Sequence, residues 1–87
     1  MNFFKLEFAD KVITFNLLEL KDYDNRSNGY ILKTDNTDLL SKLDLKAKLK
    51  RLVIIHNNEQ KVIKGIQIKH ADLSTGVLTI LHNVTLK

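Results

Sequence analysis

The 87-residue chain contains no cysteine and only three glycines, and each shortage removes a class of function. Without cysteine there is no disulfide and no thiolate ligand for a metal, and nothing points to an oxidising compartment. Glycines at 29, 65 and 76 are too few and too scattered for a loop whose backbone wraps a phosphate. Long apolar runs are also missing. The longest is Leu52 to Ile55, far below the roughly 20 residues that cross a bilayer. An export signal needs an uninterrupted apolar stretch after a basic start, whereas the opening residues alternate Phe4, Lys5, Leu6 and Glu7. The expectation is a cytoplasmic chain without a membrane span.

What is present fits one domain spanning residues 1–87. A hydrophobic content of 44% with 28% charged residues is ordinary for a chain that folds around a modest core, and two domains would starve both cores. The net charge of +4 hides an asymmetry. Residues 1–40 carry five basic and seven acidic side chains, a net of −2, and residues 41–87 carry nine and three, a net of +6. Such a dipole suits an acidic partner surface or nucleic acid, and equally head-to-tail packing between copies.

Period-2 patterning dominates. Phe4, Leu6 and Phe8 alternate with Lys5 and Glu7, the signature of a strand with one buried face. After a turn at 9–11, Val12 to Leu20 reads as a single strand. It is apolar on both faces towards its end, which predicts a central position. Residues 21–29, KDYDNRSNG, have side chains that compete for backbone hydrogen bonds and favour a loop. A third strand from Tyr30 to Thr34 follows the Asn28-Gly29 pair, which tolerates positive φ. Leu52 to His56 reads as a buried strand, residues 57–60 as a turn and Val62 to His70 as the returning strand. Gly65 in its middle marks a bulge or a close backbone approach. Residues 72–76 form another turn. Val77 to Leu86 closes the chain, with Leu78, Ile80, Val84 and Leu86 on one face.

Residues 43–50 satisfy two periods at once. Thr37 or Asp38 has the side-chain oxygen needed to cap a helix, and Leu39, Leu40, Leu43 and Ala47 mark one helical face. Yet Leu43, Leu45, Ala47 and Leu49 also alternate with Asp44, Lys46, Lys48 and Lys50. As a strand, the segment sets its lysines in a comb along one face. As a helix, at roughly 100° per residue, it turns Lys48 away from Lys46 and Lys50. A helix over 38–47 followed by a strand over 49–56 is one solution and a continuous strand is the other. The resulting fold class is mainly β: a small antiparallel, partly closed β-barrel of about six strands with one short helix.

Candidate chemistry is sparse. His56, His70 and His82 fall on the last three strands. With 70 opposite 78, 66 opposite 82 and 56 opposite 61, they lie in steps of roughly 13 Å, too far apart to share an ion. Asp72 and Ser74, near His70, have the residue types of a nucleophile and its helpers, but turn capping explains them without a base and an oxyanion pocket. No catalytic residue, metal or cofactor is assigned. The functional candidate is a basic patch of Lys46, Lys48, Lys50 and Arg51, extended by Lys61, Lys64 and Lys69. Phosphate binding needs such clustering, and single-strand recognition usually adds exposed aromatics, which here all lie in the other half of the sequence.

Three resemblances bear on function. The stretch LLSKLDLKAKLKRLVIIHNNEQKVIKGIQIK is similar in rhythm to Sm-like proteins, which would imply an RNA-binding ring. The turn DLSTG is similar to the Asp-x-Ser-x-x-Gly element of PilZ domains, one residue short and without paired arginines upstream. Across the whole chain, FKLEF, VITFNLLEL, GYILKT, DLLSKLDL before LVII, and VIKGIQIK follow the order that opens tail-hub proteins of contractile phage tails and type VI secretion spikes. There these segments build a first small barrel packed against tube and neighbouring subunits. This last resemblance implies a non-enzymatic protein-binding or assembly module of phage type, cytoplasmic or virion-associated, with a protein partner or self-association. The alternative is a nucleic-acid-binding small barrel that uses the basic half.

Overall fold

The computed structural model describes residues 2–23 and 29–82. Eight strands and one helix follow in the order β1 (Phe3–Phe8), β2 (Val12–Asn16), β3 (Glu19–Asp22), β4 (Gly29–Lys33), α1 (Thr37–Leu40), β5 (Leu49–His56), β6 (Glu59–Lys64), β7 (Ile66–Asp72) and β8 (Val77–His82). They form two antiparallel four-stranded sheets, β2-β1-β5-β6 and β3-β4-β8-β7. The small, mainly β fold with one short helix is the expected class. The sheets remain open, however, and the strands number eight because two of the expected strands each divide between the sheets.

The first division falls inside Val12 to Leu20. Leu17 N donates to the Asn2 carbonyl, extending the first sheet, while Leu18 N donates to the Lys33 carbonyl and starts the second. The doubly apolar end of this run therefore marks a crossing between sheets, and β2 and β3 are both edge strands rather than central ones. The second division is at Gly65, whose φ of +65° turns the chain out of β6 and into β7. A Cβ there would meet nothing within 4 Å, so positive φ, and not close approach, is what glycine supplies. The irregularity in the ladder lies further on, between Ile68 and His70.

Two turns refine the expected registers. Asn57 and Asn58, with φ of 53° and 70°, make a two-residue hairpin turn, so His56 opposes Glu59 rather than residue 61. Across the 72–76 turn, Ile66 opposes His82 as expected, while the irregularity moves His70 opposite Thr79 rather than 78. Residues 24–28 of the expected loop, and Val84 and Leu86 of the expected last strand, lie outside the described residues.

The strand of the helix-then-strand solution falls where expected, at Leu49–His56, but its helix over 38–47 shrinks to Thr37–Leu40 and the continuous strand does not form. Asn36, not Thr37 or Asp38, caps α1 by accepting from Leu39 N at 3.1 Å, and the helix ends after one turn. Ser41 Oγ then donates to the Asp38 carbonyl, and Asp44 Oδ1 accepts from Lys46 N at 3.0 Å, which holds the chain in a turn. Regular β structure resumes only at Leu49, the point where a side chain enters the core.

One core cluster lies between the sheets. Phe4 and Phe15 stack with centroids 5.0 Å apart, and Leu6, Leu32, Leu52, Leu78 and Ile80 are fully buried around them. Thr34 is the one buried polar side chain among the described residues. Its Oγ1 donates to Asn16 Oδ1 at 2.6 Å and accepts from Asn36 N, and its backbone N donates to the Gly76 carbonyl. These bonds tie the end of β4 to β2, to the helix entry and to the β7–β8 turn. Among the described residues no helix is long and apolar enough to cross a membrane.

Candidate interaction surface

The seven basic candidates divide into a group of five and two outliers. Lys46 and Lys48 lie in the irregular approach to β5, Lys50 and Arg51 on β5, and Lys61, Lys64 and Lys69 on β6 and β7. Lys46, Lys48 and Lys50 line one groove of about 720 Å³, with Leu45, Ala47 and Leu49 on the same wall and residues 65–68 opposite. Lys50 also lines an adjoining hollow of about 420 Å³ with Arg51, Lys64, Glu7 and Phe8. The lysines thus share a groove without being a strand.

The origin of the groove is local. β6 stays beside β5 up to the Arg51–Lys64 pair, and Gly65 then swings the chain into the other sheet. The start of β5 and the segment before it lose their neighbour on that side. Lys50 stands where the β1–β5 register shifts, between the Phe8–Leu49 and Glu7–Arg51 pairs. Among the described residues β7 pairs only with β8, and no strand lies along its other edge.

The cations near the groove differ in how they are engaged by the described residues. Arg51 Nε donates to Glu7 Oε1 at 2.5 Å, so this cation is already engaged. Among the described residues no carboxylate lies within ion-pair distance of Lys46, Lys48, Lys50 or Lys64. Lys61 and Lys69 are used elsewhere. Lys61 Nζ sits 5.9 Å from the Tyr30 ring centroid, and Lys69 Nζ donates to the Tyr23 hydroxyl at 2.7 Å. The segregation of aromatics from cations seen in the sequence is therefore lost on folding at these two positions.

Sequence patterning missed a second surface, the outer face of the first sheet. The register aligns Phe3 with Ile55, and Lys5 with Val53 and Val62. Val62 is 46% exposed and Val12 56%, and Lys5 Nζ lies 5.7 Å from the Phe3 ring. Phe3, Lys5, Thr14 and Phe15 border a shallow, mainly apolar hollow of about 480 Å³. The signal available was the run Leu52 to Ile55, which is apolar at every position and so supplies both faces of β5.

The remaining candidates are dispersed or structural. His56 is in the first sheet; His70 and His82 are in the second, where His70 opposes Thr79, three positions or roughly 10 Å of strand from His82. Among the described residues no group of three or more metal-ligating side chains comes together. Asp72 Oδ1 accepts from both Ser74 N at 3.0 Å and Ser74 Oγ at 2.7 Å, an arrangement that closes the turn. The serine hydroxyl and then its backbone amide, by bonding to the ionised form, hold the Asp72 carboxyl below its ordinary pKa. No protein-family model, curated protein or solved structure matches the chain.

Proposed function

We propose that the chain is a non-enzymatic protein-binding or assembly module of phage or mobile-element type, acting through contacts with copies of itself or neighbouring subunits. One observation carries this reading. The outer face of the first sheet carries the exposed Val12 and Val62 together with half-buried Phe3 and Ile55, beside β6, an edge strand exposed along nearly its whole length. Exposed apolar area and an unpaired edge are the two features by which β proteins associate. The opposite charges of the two halves favour a head-to-tail arrangement. The order of segments that resembles the first barrel of tail hubs is consistent with the same role.

Light scattering at rising protein concentration tests it. The expected result is a mass above the 10.0 kDa monomer, returned to monomer by Val62→Asp. A monomer at every concentration rejects self-association.

The lysine groove favours a second reading, nucleic-acid binding by the basic half. Titration with duplex and single-stranded oligonucleotides at two salt concentrations separates the readings, because phosphate contacts give an affinity that falls steeply with salt. Absence of binding at low salt removes the second reading.

A further inference from the structure

We infer that the groove between residues 45–50 and 65–68 is a docking slot for an extended acidic segment of a partner protein. This rests on the protein-binding reading above and names the chemistry of the partner at a surface separate from the outer face of the first sheet.

Three observations select that occupant. The first is charge: Lys46, Lys48 and Lys50 recur at every second position along one wall, and no described carboxylate pairs with them. Lys46 and Lys48 lie in the turn that leads into β5 and Lys50 on the strand itself, so the complement they require is a cluster of carboxylates. The second is the wall material. Leu45, Ala47, Leu49, Ile66 and Ile68 are aliphatic, and no aromatic side chain lines the groove. A single nucleic-acid strand takes much of its binding from bases stacked on aromatics, whereas a peptide with aliphatic side chains between its acids finds like surfaces here.

The third observation is the backbone. Among the described residues the facing edge of β7 has no strand partner, and β6 leaves the flank of β5 at Lys64. Extended segments recognised at a sheet edge gain main-chain hydrogen bonds from groups of this kind, with alternate side chains supplying selectivity. The break at Gly65 that divides the sheets thereby creates a place for a strand from elsewhere.

The test is a titration of the full 15N-labelled chain with a synthetic peptide of four Glu-Val repeats, with a Lys-Val repeat peptide and oligo(dT) as comparison probes. The expected result is saturable shifts of amides confined to residues 45–50 and 64–68, produced by the Glu-Val peptide and weakened by added salt. Reversing the three lysines together (Lys46→Glu, Lys48→Glu, Lys50→Glu) lowers the affinity at least about tenfold, with an unchanged circular-dichroism spectrum. Lys48→Glu alone gives a smaller loss and serves if the triple variant does not fold. Shifts from the Lys-Val peptide of equal size, shifts centred outside the slot, or displacement of the Glu-Val peptide by oligo(dT) overturn the inference. Val62→Asp separates it from the reading on which it rests. A chain that stays monomeric yet binds the peptide at the slot rejects self-association only, and one that assembles but shows no peptide shift rejects the slot only.

Discussion

Gly65 and Gly76 form a matched pair that tests how the sheets are joined. Both have positive φ, 65° and 76°, so alanine at either position meets the left-handed penalty of about 1–2 kcal/mol. That loss is partly offset, by about 0.4–1 kcal/mol, because alanine restricts the unfolded chain. Gly65 has open space around it, so Gly65→Ala is expected to cost about 1 kcal/mol in net. At Gly76 a Cβ would collide with the Thr34 carbonyl oxygen. Relief requires moving Thr34, whose hydroxyl bonds Asn16 and Asn36 and whose amide bonds Gly76 itself. Overpacking of about 1–3 kcal/mol and a weakened hydrogen bond of about 1 kcal/mol then add to the backbone term. The expected total is about 3–5 kcal/mol, a large part of the roughly 4–13 kcal/mol that a chain of this size has in all. Urea denaturation reads the difference: with a slope of about 1 kcal/mol per molar, Gly65→Ala lowers the midpoint by about 1 M and Gly76→Ala by about 3 M or more. Equal midpoints for the two variants would refute the argument, since φ alone would then account for both glycines.

Two further substitutions check other links. Leu45 is 43% exposed and Leu52 is fully buried, so Leu45→Asp is expected to shift the thermal midpoint little and Leu52→Asp to abolish cooperative unfolding. A severe Leu45→Asp would place residue 45 in a strand after all. The Asp72 carboxyl, held below its ordinary pKa by Ser74, supports the 72–76 turn at full strength above the unfolded-state value of about 3.9 and loses that support as pH falls through its lower folded-state value. Ser74→Ala is expected to raise the Asp72 pKa in a 13C-detected titration, and an unmoved carboxyl would show that the serine is not the cause.

Local patterning gave the faces of the strands and little about their neighbours. In β1 the alternation placed Phe4, Leu6 and Phe8 inward, and all three are buried. Turn chemistry located turns at 57–60, of which the structure keeps Asn57 and Asn58, and at 72–76, because asparagine, aspartate and glycine carry their conformational preference individually. The sheet a strand joins is settled by partners far along the chain: the doubly apolar Leu17-Leu18 and the mid-strand Gly65 stand out locally, but neither names the sheet that follows. The same limit applied to the functional surfaces. The lysine cluster was visible because its members are near neighbours in the sequence, although the strand that would align them as a comb does not form. The outer-face group of Phe3, Ile55 and Val62 needs the alignment of three strands before it exists. Residues 43–50 misled in the other direction: their two periods are both real, but Asp44 captures the backbone between them and prevents either from propagating.

The crossings at Leu17-Leu18 and Gly65 interleave the chain, so that each sheet takes one hairpin from the amino-terminal part and one from the carboxyl-terminal part. During synthesis neither layer has its full set of strands when the first 40 residues have emerged, because β1 awaits β5 and β4 awaits β8. Closure of such distant pairs makes folding slow relative to a helical chain of similar length. A nascent chain therefore exposes Phe4, Phe15 and Leu32 until its last hairpin leaves the ribosome, and that interval is when a chaperone or an assembling neighbour has the most to grip.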